Sequence, residues 1–285
     1  MGGRYKLNTS ENTGQALRGV SETLLLPLYF RAIESQRPDA LIKDDIAVKL
    51  VSQADFDFSR IKQASHDEES QVAVVLRNRE FDRITSDFLI NHPKTVVVHL
   101  GCGLDARFDR VDNGQVAWYD LDLPEIIDLR RKFIGEERER YHFLASSIFE
   151  DEWMDIVATH LPYPFLFLGE GILMYFAEEQ VKALVLMLLK RFPGAELVFD
   201  AFSPFFVWAN NRRVARTGFG VTAHWALKHG KELESWGDGI QLISEWYPFL
   251  CPEPRLRHIR WARHISLLSK TMGIFHYRLG KYTAG

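Results

Sequence analysis

Cysteine and long apolar segments are both scarce in this chain. Cys102 and Cys251 are the only cysteines, too few for a disulfide framework or a four-cysteine zinc site. No apolar run approaches the roughly 18 residues that span a bilayer. The first ten residues contain no hydrophobic segment of the signal-peptide kind. We therefore expect a soluble, cytoplasmic protein without a membrane partner.

Charge of one sign is not in excess either. Lys and Arg total 35 against 38 Asp and Glu, for a formal net charge of −3. A chain-wide basic field that would attract nucleic acid is therefore absent. The 10 histidines show neither HxxxH nor the His–carboxylate spacing that is typical of metal sites. We expect no nucleic-acid partner and no bound metal.

What the chain does contain is a regular alternation of strand and helix patterns. Five short apolar runs resemble strands that are covered on both faces; they span residues 95–100, 116–121, 141–145, 164–169 and 195–201. Helical periodicity separates them, so we predict an α/β fold with a doubly wound parallel sheet. Two last strands are predicted at 240–247 and 273–279, with a helix near 255–263 between them.

The 285 residues show no repeat and no Pro-rich or Gly/Ser-rich linker. We therefore expect a single domain over 1–285, made of four consecutive parts. These are an N-terminal helical cap (1–92), a cofactor-binding α/β core (93–201), a helical lid insertion (202–238), and the last strands and helix (239–285).

The most informative segment is HLGCGLDAR, residues 99–107, directly after the first predicted strand. Gly101 and Gly103 have no side chain, which lets the backbone come close to a ligand. The run also satisfies the dinucleotide pattern G-x-G-x-x-G/A. Asp120 and Asp122 end the second strand, 19 and 21 residues after Gly101, where a carboxylate is suited to hold a ribose.

A glycine loop of this kind serves nicotinamide cofactors as well as S-adenosylmethionine. Three features favour S-adenosylmethionine over a nicotinamide cofactor. Predicted helices precede the loop and can cap a small ligand. Glu170 follows the fourth strand, where a carboxylate suits the amine of an amino-acid tail. The chain also ends in a strand–helix–strand pattern that is typical of seven-stranded methyltransferase sheets, which have one antiparallel strand.

The chain resembles the leucine carboxyl methyltransferase family, and within it the bacterial branch similar to tetracenomycin-type polyketide O-methyltransferases. The resemblance runs from about residue 20 to 205. It rests on these stretches: 29–51 (YFRAIESQRPDALIKDDIAVKLV), 74–82 (VVLRNREFD), 99–110 (HLGCGLDARFDR), 119–131 (YDLDLPEIIDLRR), 168–181 (LGEGILMYFAEEQV) and, more weakly, 198–204 (VFDAFSP). It implies a Rossmann-like, seven-stranded, mostly parallel sheet of the class I methyltransferases.

The resemblance also implies a cofactor site for S-adenosylmethionine. Arg77 would bind the methionine carboxylate, because a planar guanidinium matches a carboxylate bidentately. Gly101 and Gly103 would pass beside the adenosyl group, and Asp122 would bind the ribose with Asp120 in support. Glu170 would lie near the amino-acid end of the cofactor.

Two further sets of residues follow from the resemblance. Ser147 and Ile148 occupy the position of the adenine contact, although Ser147 departs from the Asp-Leu pair of many members. Asp105 and Arg107 are expected to stabilise the glycine loop, as a pair with one another or with a strand end. Cys102, between the glycines, is expected to be a small buried side chain and not a nucleophile.

The acceptor site is expected between the N-terminal helices and the 202–238 segment. The candidate substrate residues are Arg31, Tyr175, Phe202, Trp208 and Arg212. The segment also carries further aromatic and basic residues that could form an apolar pocket with a site for an acidic group: Phe205, Phe206, Phe219, Trp225, Trp236, Arg213 and Arg216. Packing of the aromatics within the segment and solvation of the arginines is an equally good interpretation.

The predicted function is therefore S-adenosylmethionine-dependent O-methylation of a carboxylate or phenolic oxygen, on a small polyketide-like molecule or an exposed carboxylate. No residue is assigned as a catalytic base; His160, His224 and Tyr175 are the candidates. Two alternatives stay open at this point. One is a nicotinamide-dependent oxidoreductase with the same glycine loop, and the other is a non-catalytic protein that binds S-adenosylmethionine.

Overall fold

The computed structural model describes residues 22–53, 58, 68–218 and 221–281. Its α-helices are α1 Glu22–Ser35, α2 Asp45–Gln53, α3 Glu68–Asn91, α4 Arg107–Val111, α5 Pro124–Phe133, α6 Glu152–Ala158, α7 Glu178–Arg191, α8 Pro204–Thr217 and α9 Ser266–Ser269. Its strands are β1 Val96–Leu100, β2 Ala117–Asp122, β3 Tyr141–Ala145, β4 Phe165–Gly169, β5 Ala195–Phe202, β6 Ile240–Trp246 and β7 Met272–Leu279. Short 3₁₀ helices span Leu173–Tyr175, Glu232–Ser235, Pro248–Leu250 and Pro254–His264.

The seven strands form one sheet in the order β3-β2-β1-β4-β5-β7-β6. Strands β1 to β5 pair in parallel, and β7 is antiparallel to both β5 and β6. The predicted seven-stranded sheet with one antiparallel strand is therefore confirmed. Because the strand order reverses between β1 and β4, the carboxyl ends of these two strands flank the crevice where open α/β sheets bind ligands.

The central strands are buried on both faces, as their continuous apolar sequences predict. All five residues of β1 and all five of β4 are buried. Val96, Val98 and Leu100 belong to the core cluster on one face of the sheet, while Val97 lies in the cluster on the other face. This rigid centre fixes the position of the loop that follows β1.

The N-terminal helices cover the carboxyl edge of the sheet. Leu25, Leu28 and Ala32 of α1 form an apolar cluster with Ala47 of α2 and with Leu104. Leu104 belongs to the loop after β1, so the first helix packs directly on the predicted cofactor loop. The long helix α3 runs under the sheet, with Phe81 and Phe88 in the core.

Segment 202–238 is only partly helical. Helix α8 begins after Ser203, whose hydroxyl accepts a hydrogen bond from the Phe206 amide at 3.3 Å, and it ends at Gly218, with φ of 65°. The next described stretch, residues 221–227, has no regular secondary structure, and it places Trp225 in the core with 2 % of its surface exposed. The α-helix of the predicted lid therefore lies in the first half of the segment, and the second half contributes to the sheet core.

The prediction of a helix near 255–263 needs a smaller correction. That stretch lies in the 3₁₀ helix Pro254–His264, where Arg255 pairs with the buried Glu34 at 2.8 Å. In the described parts of the chain, no helix combines the length and the apolar character that a membrane crossing requires.

Candidate functional site

The loop after β1 contains two glycines with left-handed backbone angles, each close to a different side chain. Gly101 has φ of 64° and Gly103 has φ of 52°, a region that other residues avoid. A Cβ at Gly101 would lie 2.0 Å from Cδ1 of Ile172, and one at Gly103 would lie 2.7 Å from Cδ1 of Leu24. The loop therefore runs closely between α1 and the turn after β4, and a side chain at Gly101 would require the Ile172 side chain to shift.

The two carboxylates at the end of β2 have different environments. Asp120 is buried and accepts hydrogen bonds from Trp118 Nε1 at 2.8 Å and from the Tyr141 hydroxyl at 2.5 Å, and Arg130 also pairs with it. Asp122 is only partly buried, and its two oxygens accept from the backbone amides of Gly103 and Leu123, each at 2.8 Å. Asp120 therefore supports the strand, whereas Asp122 holds the glycine loop against the end of β2.

The centre of the site is a buried arginine between two carboxylates. Arg77 on α3 donates from Nε to Glu170 Oε1 at 2.8 Å and from Nη1 to Asp200 Oδ2 at 2.9 Å. Glu170 follows β4 and also accepts from the amide of Asn78 and from Arg107. Asp200 lies in β5 and accepts from the Gly171 amide at 2.6 Å. The contacts bring together α3 and the carboxyl ends of two adjacent strands.

This arginine belongs to a larger buried network of ion pairs. It joins the N-terminal helices, the glycine loop and the strand ends through four arginines and five carboxylates: Arg31, Arg77, Arg107, Arg110, Asp44, Asp82, Asp105, Glu170 and Asp200. The predicted pair of Asp105 with Arg107 is present, at 3.1 Å. Breaking such a pair leaves an uncompensated buried charge, so the network fixes the relative positions of these segments.

The two carboxylates on Arg77 differ in pKa. Burial alone would raise the pKa of Glu170, but Arg77 and Arg107 outweigh it and hold that pKa below its ordinary value. Burial dominates at Asp200 and raises its pKa, although Arg77 opposes the shift. Burial likewise raises the pKa of Asp122 against the amides of Gly103 and Leu123. Glu170 is therefore the firmly ionised partner of the arginine.

One cleft, which we call the loop cleft, lies over the glycine loop and has a cavity volume of about 100 Å³. It is lined by Leu24, Pro27, Arg31, Arg77, His99, Gly101, Cys102, Gly103, Leu104, Asp105, Glu170 and Gly171. Cys102 is buried here as predicted, and burial raises the pKa of its thiol. The sequence-predicted residues Arg77, Gly101, Gly103 and Glu170 thus meet at one cleft.

The proposed adenine residues lie elsewhere. The Ser147 hydroxyl accepts a hydrogen bond from the Phe149 amide at 3.3 Å in the turn after β3, and Ile148 is a core residue with 5 % of its surface exposed. Neither lines the loop cleft in the described structure. Asp122 lies between these residues and the glycine loop, because it ends β2, the strand between β3 and β1. Its carboxylate accepts a hydrogen bond from the Gly103 amide of the loop.

A second cleft, which we call the lid cleft, has a cavity volume of about 260 Å³ between α1, α3 and α8. Its lining residues are Leu26, Pro27, Val74, Arg77, Gly171, Met174, Tyr175, Phe202, Phe206, Asn210, Arg213, Val221 and Ala223. The Phe202 and Phe206 rings stack with centroids 4.5 Å apart. Pro27, Arg77 and Gly171 line both clefts, so the two adjoin at the buried arginine.

The candidate substrate residues separate into three groups. Tyr175 and Phe202 line the lid cleft. Arg31 lines the loop cleft, where Asp44 and the Leu104 carbonyl hold its guanidinium. Trp208 and Arg212 lie on a different face of α8, with the Arg212 guanidinium 5.2 Å from the centre of the Trp208 ring.

Helical spacing explains the position of that last pair. Phe206, Asn210 and Arg213 are spaced at i, i+4 and i+7 along α8, so they share the face towards the cleft. Trp208 and Arg212 share another face, and Trp208 is 57 % exposed. Among the other aromatics, Trp225 is in the core and Phe219 lies outside the described residues. Composition alone weights all these residues equally, because it does not reveal which face of α8 is turned towards the cleft.

Asp200 and Asn78 are the site residues that sequence reasoning missed. A signal was present for Asp200, since it is the one acidic residue near the end of the otherwise apolar stretch LVFDAF. A buried charge there requires a partner. Nothing local identified that partner, because Arg77 is 123 residues away in sequence.

Known proteins with sequences similar to this chain are methyltransferases. The leucine carboxyl methyltransferase family model matches residues 25–188. The tetracenomycin polyketide synthesis O-methyltransferase TcmP of Streptomyces glaucescens is 33% identical over 232 residues, covering 81% of this chain and 83% of that protein. The S-adenosyl-L-methionine-dependent methyltransferase dpfgK of Gibberella zeae is 28% identical, covering 79% and 81% of the two chains.

A solved structure extends the comparison to the fold. A DUF574 family protein from Streptomyces avermitilis superposes with a TM-score of 0.60 at 14% identity, covering 92% of this chain and 99% of that one. This likeness concerns the fold alone. The family rests on the matched family region, which exceeds half of the sequence, and on the 33% identity to the Streptomyces glaucescens enzyme: the chain belongs to the leucine carboxyl methyltransferase family.

Proposed function

We propose that this protein is an S-adenosylmethionine-dependent O-methyltransferase that binds the cofactor in the loop cleft and a small-molecule acceptor in the lid cleft. Family membership supports S-adenosylmethionine-dependent methyl transfer as the reaction class. It also disfavours the nicotinamide-dependent oxidoreductase. The proposal adds the oxygen acceptor, which the name of the Streptomyces glaucescens relative supports.

The observation that carries the proposal is the shared wall of the two clefts. A methyl transfer needs donor and acceptor side by side in a site that excludes water, and holding them in line can supply several kcal/mol of the barrier. Arg77 and Gly171 line both clefts, so ligands that fill them would meet at this wall.

The residues of the loop cleft fit the cofactor. Arg77 uses Nε and Nη1 on its two carboxylates, and within the described residues no hydrogen bond occupies Nη2. A Cβ at Gly171 would lie 3.6 Å from that nitrogen, so glycine leaves the space beside it open. Nη2 would donate to the cofactor carboxylate, while Glu170 would attract the amine.

The protein would contribute positioning more than proton transfer. S-adenosylmethionine supplies an electrophilic methyl group when it is bound. Glu170 and Asp200 fix the Arg77 guanidinium in one orientation, and α1 covers the glycine loop through Leu24 and Leu104. Burial raises the pKa of Tyr175 at the edge of the lid cleft. Tyr175 therefore stays protonated near neutral pH and would donate a hydrogen bond to an acceptor oxygen.

The first experiment is a thermal unfolding series with S-adenosylmethionine, S-adenosylhomocysteine and NAD added separately. A ligand that binds only the folded protein raises Tm by mass action. We expect the two adenosyl compounds to raise Tm and NAD to leave it unchanged. A shift with NAD alone would overturn the proposal.

The second experiment identifies the acceptor atom. The protein is incubated with S-adenosylmethionine and matched aromatic acids and phenols, such as 2-naphthoic acid and 2-naphthol, and products are analysed by mass spectrometry. A methyl ester is cleaved by mild base and a methyl ether is not, so the two oxygen types are separable. Binding of S-adenosylhomocysteine without transfer to any member of a broad acceptor panel would instead favour a non-catalytic binding protein.

A further inference from the structure

The lid cleft has an unusual charge distribution. Its lining side chains are mostly apolar, and the charged ones among the described residues are Arg77 and Arg213. Arg77 is neutralised by Glu170 and Asp200. Arg213 donates a hydrogen bond from Nη2 to Asn210 Oδ1 at 3.0 Å and forms no ion pair with a described carboxylate. Arg213, whose side chain is exposed, is therefore the charge of the cleft that no described carboxylate compensates.

We infer that Arg213 is a specificity residue that binds an anionic group of the acceptor, at the end of the lid cleft away from the methyl-transfer wall. This inference rests on the proposed function for the identity of the ligand as the acceptor. It narrows the substrate class to flat apolar molecules that carry a negative charge remote from the reacting oxygen.

The position of Arg213 along α8 gives a scale for that ligand. Phe202 ends β5, two residues after Asp200, and its ring stacks on Phe206 in the first turn of α8. Arg213 lies seven residues beyond Phe206, about 10 Å along an α-helix at ~1.5 Å per residue. The stacked phenylalanine rings line the same cleft as Arg213, and they favour an aromatic or otherwise planar body.

The guanidinium is also prepared for an anion. Asn210 holds one of its nitrogens through the side-chain oxygen, while the Asn210 amide nitrogen donates to the Val221 carbonyl at 3.2 Å. These two bonds connect α8 to the extended stretch after it and restrict the arginine. An arginine restricted in this way loses less rotamer entropy when it forms a bidentate pair with a carboxylate or sulfonate.

The neighbouring Arg212 provides the matched control. It has the same charge and lies on the same helix, but its guanidinium is over the Trp208 ring on another face. If ligand binding depended only on the positive charge of α8, then loss of the charge at position 212 and at position 213 would weaken it equally. A specific anion subsite would respond only to the change at position 213.

The probes are two fluorescent compounds that differ by one charge. 8-Anilinonaphthalene-1-sulfonate is a planar anion, and N-phenyl-1-naphthylamine is the same molecule without the sulfonate. Each is titrated in the presence of S-adenosylhomocysteine into the unmodified protein, Arg213→Gln, Arg213→Lys and Arg212→Gln. Val74→Trp, which enlarges a partly exposed lining residue, tests whether the probes occupy the lid cleft.

We expect Arg213→Gln to weaken binding of the sulfonate about five- to tenfold, as for loss of one partly solvated charged hydrogen bond. Binding of the neutral probe should change less than about twofold by the same reasoning. Arg213→Lys should recover part of the loss, Arg212→Gln should change neither probe, and Val74→Trp should weaken both. Circular dichroism of each variant checks the fold.

Three results would overturn the inference. They are equal losses in Arg213→Gln and Arg212→Gln, equal losses for the charged and neutral probes, or sulfonate binding that neither Arg213→Gln nor Val74→Trp weakens. Calorimetry with S-adenosylhomocysteine separates failure of the inference about Arg213 from failure of the proposed function. If the unmodified protein does not bind that compound, the proposed function fails, whereas probe binding in the lid cleft is measured independently.

Discussion

The loop cleft and the lid cleft share a wall but are held together by different forces. Ion pairs between segments far apart in sequence surround the loop cleft. Arg77, for example, connects α3 to Glu170 and Asp200, which lie 93 and 123 positions further along the chain. The lid cleft is bounded on one side by α8, which has no fully buried residue. Charges fix the geometry where the cofactor is proposed to bind, and partly exposed apolar side chains line the surface that is proposed for the acceptor.

The difference indicates which cleft tolerates change. Removing one member of a buried charge network leaves its partners uncompensated, a loss of about 3–5 kcal/mol. Removing an aromatic side chain from a half-exposed helix face forfeits only its local packing. Substitutions on α8 should therefore alter the acceptor preference at little cost in stability, whereas substitutions around Arg77 should affect both folding and cofactor binding.

The largest effect is expected for Arg77→Ala. This change leaves Glu170 and Asp200 buried without their shared guanidinium. We expect the free energy of unfolding to fall by about 3–5 kcal/mol and affinity for S-adenosylhomocysteine to fall at least about tenfold. Urea denaturation and calorimetry measure the two quantities. Arg77→Lys, which keeps the charge but not the planar fork, provides a second variant if Arg77→Ala does not fold.

Arg131 on α5 is the control for loss of a surface arginine. Its side chain is 38% exposed and pairs with Asp128, which is 77% exposed. We expect Arg131→Ala to cost less than about 1 kcal/mol and to leave S-adenosylhomocysteine binding unchanged. Equal losses in the two variants would contradict a special role for the buried arginine.

The second prediction concerns Asp105 in the loop network. Burial alone would raise the pKa of this carboxyl, but Arg110, Arg107 and Arg31 hold it well below its ordinary value of 3.8. A depressed folded pKa stabilises the protein above 3.8, and the stabilisation is lost as pH falls below that value. Asp105→Asn should therefore cost about 2–3 kcal/mol at pH 7, and the difference from the unmodified protein should shrink below pH ~3.8.

Urea denaturation between pH 7 and pH 3 measures that difference. Asp128→Asn is the control, because its side chain is 77% exposed and its pair with Arg131 is on the surface. A constant difference between Asp105→Asn and the unmodified protein over the whole pH range would show that the charge of Asp105 does not act through its pKa.

The third prediction compares two glycines with similar backbone angles. Gly101 has φ of 64° with Ile172 against it, whereas Gly114 has φ of 77° and a Cβ added there would meet no described atom within 4 Å. Alanine at either position should cost about 1–2 kcal/mol for the left-handed backbone. Gly101→Ala should cost more and weaken S-adenosylhomocysteine binding, because the Ile172 side chain and the loop that lines the cleft must shift relative to each other.

The double variant Gly101→Ala, Ile172→Ala separates the two causes. We expect it to recover part of the lost S-adenosylhomocysteine affinity, measured by calorimetry, because the contact with the Ile172 side chain is removed. A double variant that binds no better than Gly101→Ala would show that the backbone angle alone limits the loop.

The smallest effect on stability is expected in the lid cleft. Phe206→Ala removes one ring of the stacked pair with Phe202, a loss of about 0.5–1.5 kcal/mol. Binding of N-phenyl-1-naphthylamine should weaken severalfold, while S-adenosylhomocysteine affinity should stay the same. Phe205→Ala, on the outer face of α8, is the control and should leave both affinities unchanged. A loss of S-adenosylhomocysteine affinity in Phe206→Ala would show that the two clefts are not independent.

The sequence by itself determined the strands, the glycine loop and the family. Continuous apolar runs identify buried strands, and a glycine pair directly after the first strand identifies the loop, because these signals depend on neighbouring residues. The same local signals placed Gly101, Gly103, Asp122 and Glu170 at the carboxyl edge of the sheet, whereas Arg77 was assigned from the family resemblance.

Only the tertiary structure decided how those residues act on one another. It paired Arg77 with Asp200 as well as Glu170, and it turned Arg213 towards the lid cleft and Arg212 away from it. Ion-pair partners separated by about a hundred residues leave no local pattern, and the direction of a helix face depends on what the helix packs against. The chain therefore specifies its elements locally, whereas its binding surfaces depend on contacts that form only on folding.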